Sequence, residues 1–511
     1  MSVSKGNDTS HINATEDCLH RSLAKNIKII KQTLGNSDDI IIRQLVIDEA
    51  QNQSIAILYI DGLSDKTAIS DAIIDKLLLN TNDFTIEHIK ASCLTIGDVK
   101  DITQFMTLYQ TLLNGDAVIL IDNCVTGIAT NTKHAKDRAV MEPSTESVIR
   151  GPREAFTETL RTNTALIRRK IKSPNLWIKS RIIGEVTQTD VSVMYINGIA
   201  SDKIVAEVLA RLDRINTDSI LESGYIESYI QDAQLSLFPT IYNTERPDVI
   251  AGELLDGKIA ILVDGTPFVL VVPALFTSFL QSAEDYYQNW MVSTLIRALR
   301  FFGISLALVA PSLYVAITTF HQEMLPTPML ISIASQREGV PFPAIVEALI
   351  MEVAFEVLRE AGLRMPRTIG PAVSIVGTLV IGQAAVEAGV VSAVMVIIVA
   401  LTAICSFLFP AYGLSNTVRV LRFPLMIIAS MFGLFGVMFG VMIILLHLCS
   451  IRTFGVPYLS PFAPFILKDQ KDAFILFPRK ALLTRPRLIN QKNMVRGHRY
   501  IAIKRRNQRD G

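Results

Sequence analysis

The chain has 511 residues, with 49 Lys and Arg against 48 Asp and Glu and a formal net charge of +1. Half of the residues are hydrophobic, only 19% are charged, and the mean hydropathy is +0.36. That balance excludes a wholly soluble enzyme and predicts a partly membrane-embedded protein, with disorder confined to the termini.

The charge is unevenly spread. Residues 1–300 carry 29 basic and 38 acidic side chains, residues 301–450 carry 13 charges in all, and residues 451–511 carry 14 basic and 3 acidic. Three compartments follow: an acidic head, an apolar block and a basic tail. Five cysteines without a CxxC pair fit a reducing compartment. The first 40 residues hold no apolar stretch of secretory type, so the head is expected in the cytosol.

In chain order, residues 1–24 read as a disordered N-terminus. Two α/β units follow, over 25–140 and 181–289. IAILYIDGLSDK (55–66) resembles VSVMYINGIASDK (191–203), and AVILID (117–122) resembles IAILVD (259–264). Each pair reads as a β-branched strand, an Asp-Gly or Asn-Gly turn and a capped helix, which predicts a duplicated unit. The loops lack GxGxxG and GxxxxGK[ST], so they read as strand-to-helix turns, and Asp61, Asp65, Asp202 and Asp264 read as turn carboxylates rather than metal ligands. Between the units, the connector 141–180 contains ESVIRGPREAFTETLRTNTALIRRKI (146–171). It reads as a basic amphipathic helix with Pro152 near its first turn, either solvated or pairing with the acidic surface of another subunit.

The membrane domain is expected over 290–450, with spans at about 301–320, 369–387, 390–409 and 423–449. Arg297 and Arg300 just before the first span place its start in the cytosol. Four spans then leave both the head and the tail there. Residues 344–361 are strongly helical but acidic, and read as an amphipathic or re-entrant helix. Glu352, Glu356 and Glu360 recur every fourth residue and share one face. Repeated about a symmetry axis, they would form cation-attracting rings. Ser374, Thr378, Gln383 and Glu387 supply polar groups suited to a wet lumen. Gly377, Gly382, Gly436 and Gly440 allow close helix packing, the last two as a GxxxG. The tail 451–511 reads as a binder of anionic membrane lipid rather than of nucleic acid. No HExxH, GxSxG or Walker motif occurs, and no nucleophile–base pair can be assembled, so an enzyme is not expected, and no cofactor or metal.

Five strings carry a family resemblance: 146–171 above, TERPDVIAGELLDGKIAILVDGTP (244–267), SAEDYY (282–287), PFPAIVEALIMEVAFEVLREAGLRMP (341–366) and SIVGTLVIGQAAVEAGVVS (374–392). Over roughly 25–490 the chain resembles the A subunits of GerA-type spore germination receptors, with the stage V sporulation protein AF-like branch as the alternative. The resemblance implies a multi-pass protein of the spore inner membrane, partnered by a transporter-like B subunit and a lipoprotein C subunit. It also implies a homo-oligomer, a pentamer, acting as a nutrient-gated cation channel. The expected fold is thus a duplicated α/β cytosolic head followed by an all-α polytopic membrane domain. A membrane-anchored sensor without conductance is the rival from another class. A solute transporter ranks below both, because the only visible repeat lies in the head.

Overall fold

In a computed structural model, residues 18–48, 53–79, 86–90, 94, 98–133, 142–143, 145–364, 382–489 and 493–496 are described. The chain divides into two compact units. The head takes residues 1–230, 243–272 and 485–494, and the second, mainly helical unit takes the rest.

The head holds two five-stranded sheets. The first is built from β1 (Ile40–Asp48), β2 (Gln53–Ile60), β3 (Val99–Ile102), β4 (Ala117–Ile121) and β5 (Gly127–Thr130). The second uses β6 (Leu176–Ile183), β7 (Thr189–Ile196), β8 (Tyr242–Thr244), β9 (Ile259–Val263) and β10 (Val269–Val272). Their orders, β1-β2-β4-β5-β3 and β6-β7-β9-β10-β8, are the same pattern. The similar strings AVILID and IAILVD supply the central strands β4 and β9, buried along their whole length. Helices cover both faces of such a sheet, so its middle strands read as continuous apolar runs rather than alternating ones. The Gly62 turn after β2 has φ +83° and a Cβ there would sit 2.8 Å from the Arg161 carbonyl oxygen, so only glycine fits. Asp65 then caps the next helix, accepting from the Thr67 and Ala68 amides at 2.9 and 3.2 Å.

The connector departs from expectation. Its helix, labelled α3 after α1 (Leu23–Thr33) and α2 (Phe105–Leu113), covers only Leu160–Lys170 and starts well after Pro152. The reason is competition for the backbone. The Asp264 carboxylate takes the Leu160 amide at 2.9 Å, and Asn163 takes the Thr157 amide at 2.8 Å, which fixes the helix start. Upstream, Arg246 donates to the Glu146 and Pro152 carbonyls at 3.2 and 3.0 Å, holding that stretch outside any helix.

Nor is α3 a solvated basic helix. Arg168 is fully buried and grips Asp39 with two bonds of 2.7 and 2.9 Å and the Ser37 hydroxyl at 3.1 Å. The same hydroxyl accepts the Ile178 amide of β6 at 2.8 Å. One guanidinium therefore ties the entry of the first sheet to the edge of the second. Asp39→Asn leaves that guanidinium buried without its counter-charge. The expected result is a loss of about 3–5 kcal/mol in denaturant unfolding of the head.

Glu146 lies half-buried against β8, accepting the Thr244 hydroxyl at 2.5 Å. Burial pushes its carboxyl up to about 7, and neighbouring Glu245 and Asp248 push the same way, while Thr244 and Arg246 pull it down. The stabilisation from the raised pKa is present below the ordinary value of 4.5 and lost as pH climbs through about 7. Glu146→Gln should flatten that decline, and hydrogen exchange of residues 145–158 across pH 5–8 reads it directly.

The second unit is built on α7 (Trp290–Phe320), which follows the head helices α4 (Asp202–Asp213), α5 (Ser223–Ile230) and α6 (Pro247–Leu255). After it come α8 (Thr327–Arg337), α9 (Ala344–Arg364), α10 (Gly382–Glu387), α11 (Ala393–Ser406) and α12 (Tyr412–Ser450). The helix α7 begins eleven residues before the expected span because Asn289 caps it, accepting the Met291 amide at 3.0 Å, and it runs on through Pro311. Of the expected span 369–387, only 382–387 lies among the described residues.

The stretch 423–449, expected as a single span, is not one continuous helix. Within α12, Gly433 has φ 60° and ψ −142°, which no helix tolerates. A Cβ on Gly440 would lie 2.5 Å from the Leu425 side chain, and one on Gly436 2.6 Å from the Ile428 carbonyl. In a straight helix residues 425 and 440 stand about 22 Å apart. The chain therefore folds back at Gly433, and residues 412–432 and 434–450 are the two legs of a hairpin, about 31 and 26 Å long. The turn abuts Phe320 and His321 at the end of α7. The helix α11 runs antiparallel to α7, with Ser392 beside Tyr314 and Leu408 beside Gly303. The helix α7 is long and apolar enough to cross a membrane, and Tyr412–Ser450 meets the same measure over its 39 residues before its fold-back at Gly433 is counted. Beyond the hairpin, β11 (Arg452–Thr453) and β12 (Val456–Pro457) open a folded segment.

Candidate functional site: the acidic helix and its arginines

The helix α9 places its carboxylates at Glu347, Glu352, Glu356 and Glu360. One side of the helix packs inward, where Ala344, Ala348 and Met351 meet Tyr314, Val391, Met395 and Met426. The helix is thus a packed member of the unit. The carboxylates follow the inward side, and each has a cation. Glu347, fully buried, stands 3.3 Å from Arg337 and accepts the Ser392 amide and hydroxyl at 3.1 and 2.8 Å. Glu352, also fully buried, is bound by Arg422 at 2.6 Å. Glu356 receives Arg419 in a two-pronged pair, the Nε contact at 2.8 Å. Glu360, at the exposed end, pairs one turn on with Arg364.

This arrangement follows from charge in an apolar surrounding. An ionised carboxylate among Met, Val and Ala side chains costs several kcal/mol unless an opposite charge and hydrogen bonds compensate it. Arg419 and Arg422, three residues apart on the first leg of α12, meet Glu356 and Glu352, four apart on α9. Arg359 lies over the rings of Phe407 and Tyr412, 5.7 Å from each centroid, and closes that end. The outward stripe of α9 is apolar and exposed at Ile350, Val353 and Val357.

The other residues singled out from the sequence scatter. Gln383 donates to Glu387 at 2.8 Å, both exposed on α10. Gly382 is buried against Val396 of α11. Gly436 and Gly440 bring the two hairpin legs together. Ser374, Gly377 and Thr378 lie outside the described residues. The structure thus brings Glu352 and Glu356 together with arginines rather than with Gln383 and Glu387. Glu347, Arg337, Arg419, Arg422 and Ser392 are the partners that sequence reasoning did not assign. Arg419 and Arg422, like Glu352 and Glu356, stand about one helical turn apart, which lets the two pairs meet.

The fold and this site define a class: an α/β head with two like sheets, joined to an apolar helical unit whose internal charges are paired. Residues 28–488 match the family model described as Bacillus/Clostridium GerA spore germination protein, and the chain belongs to that family. It is 50% identical to spore germination protein KA of Bacillus subtilis strain 168 over 478 residues, 93% of this chain and 88% of that protein. Identity is 44% to membrane protein YfkQ of the same strain over 492 residues, 95% of this chain and 96% of that protein. It is 39% to spore germination protein GerLA of Bacillus cereus over 478 residues, 93% and 97% of the two chains. Among solved structures, the N-terminal domain of the A subunit of the Bacillus megaterium spore germinant receptor GerK3 is similar at 43% identity and a TM-score of 0.40, covering 51% of this chain and 97% of that one. These relatives are named as germination and membrane proteins, not as enzymes.

A double-mutant cycle checks the central pair. Arg422→Gln should lower the melting temperature of the detergent-solubilised protein sharply, because Glu352 is left buried and unpaired. Combining it with Glu352→Gln should cost less than either change alone, a coupling of about 1–3 kcal/mol.

Proposed function

We propose that this chain is the A subunit of a nutrient-responsive spore germination receptor in the spore inner membrane. In this reading α7, α11 and the legs of α12 cross the bilayer. Copies assemble, as a pentamer, into a ligand-gated cation channel, beside a transporter-like B subunit and a lipoprotein C subunit. Membership of the family supports the receptor role. The observation that carries the conductive reading is α9, a helix that holds four carboxylates within an apolar unit and keeps an apolar stripe free for a neighbouring copy.

Pairing changes how the acidic residues would act. With Arg419 and Arg422 in place, Glu352 and Glu356 add no net charge, so the paired state is the closed one. Opening would separate α9 from the first leg of α12 and present the carboxylates to a shared path that Glu360, Gln383 and Glu387, with Ser374 and Thr378, would also line. The paired arginines equally favour the second reading, an anchored sensor that conducts nothing.

Cation flux from liposomes holding the reconstituted receptor complex separates the two. The channel reading expects nutrient-triggered flux, and a loss of preference for cations over anions in Glu352→Gln/Glu356→Gln. Absence of flux while the complex still binds nutrient supports the sensor, and an unchanged preference in the double variant removes these two residues from the path.

A further inference from the structure

We propose that the folded segment after the hairpin, residues 462–480, is a docking platform for anionic lipid headgroups. The proposal rests on the reading that α7 and α12 span a membrane, and adds where and how the chain meets the bilayer surface.

The first observation is what this segment leaves uncovered. Phe465 and Leu467 are 70% and 74% exposed, and Phe474, Ile475 and Phe477 of the same segment are also exposed. They are interleaved with exposed cations: Lys468, Lys471, Arg479 and Lys480. The acids between them are Asp469 and Asp472, and Asp472 is already engaged by Arg297 at 3.1 Å and by the Tyr286 hydroxyl at 2.9 Å. Bulky apolar groups beside cations suit the boundary between acyl chains and phosphate groups, where each finds its own solvent.

The second observation is that the platform is fixed in height. Arg297 of α7 donates to the Asp472 carbonyl at 2.8 Å, and Thr294 exchanges bonds of 3.1 and 3.2 Å with the backbone of Leu476. Phe301 packs on the rings of Phe462 and Phe474 at centroid distances of 5.8 and 5.1 Å. The segment is therefore clamped beside the first three turns of α7. That is where the charge-free stretch of α7 begins, and where Leu295 and Phe302 turn outward, each 64% exposed. A bilayer receiving that face puts its headgroups level with the four cations. Charge complementarity then favours phosphatidylglycerol-type lipid over zwitterionic lipid.

Tryptophan quenching in the full-length reconstituted chain tests this. Phe465→Trp and Leu467→Trp report the platform and Phe302→Trp reports α7, each read as the difference from the parent chain with its two tryptophans. In phosphatidylglycerol vesicles, the platform probes should be quenched by lipid labelled near the headgroup and shielded from aqueous acrylamide. That quenching should be lost in phosphatidylcholine and in the variant with Lys468, Lys471, Arg479 and Lys480 all changed to Gln. Quenching by acrylamide, equal quenching in both lipids, or silence to every quencher (a second copy or another protein covering the patch) would each overturn the platform. If Phe302→Trp also escapes deep-labelled lipid, the membrane reading fails as well; if it is quenched, only the platform fails.

Discussion

A charge inside an apolar helical unit must find its opposite, and this constraint orders the second half of the molecule. Three helical elements converge on two carboxylates of α9. Glu347 draws in Arg337 of α8 and the start of α11 at Ser392, while Glu352 draws in Arg422 of α12. Removing one member of such a pair costs more than replacing both. The rotation of α9 about its axis is therefore set by its acids, with Ile350, Val353 and Val357 left outward as a consequence. Breaking the pairs and moving the helix are then one event, which suits a two-state element better than a static lining.

The same device recurs wherever distant segments must be held. Arg168 locks the two sheets of the head through Asp39. Arg297 and Arg300, which the sequence marks as cytosolic flanks of a span, both close on the buried Asp285, and Arg297 also holds the segment around Asp472. Their charge is thus spent internally rather than offered to lipid. In the proposed platform it is Lys468, Lys471, Arg479 and Lys480, all exposed, that face the membrane surface instead.

What could be read from the sequence was what depends on local period. The paired strings in the head fell on equivalent strands because a fully buried strand must be a short run of β-branched residues. The acidic face of α9 was legible because spacing of four defines a helix side. Spacing says which side, however, and not what lies opposite, so Glu352 and Glu356 read as a ring although Arg422 and Arg419 neutralise them within the same chain. The hairpin was hidden for a related reason. An uncharged run from Phe423 to Cys449 satisfies a single tilted span as well as two shorter legs, and Gly433 differs from Gly436 and Gly440 only through its backbone angles. The connector misled because Pro152 suits a helix start, whereas the start was taken by the Asp264 carboxylate 104 positions away.

The turn at Gly433 sets where Arg419 and Arg422 stand in the apolar unit, so the span between the two ends of α12 is the quantity to measure. Spin labels at positions 412 and 450, both exposed, in chains with native cysteines replaced and reconstituted in lipid, give that span by pulsed dipolar spectroscopy. The folded-back arrangement predicts backbones about 10 Å apart, the spacing of packed helices, widened only by the labels. A distance near 57 Å, that of one continuous helix, would contradict it.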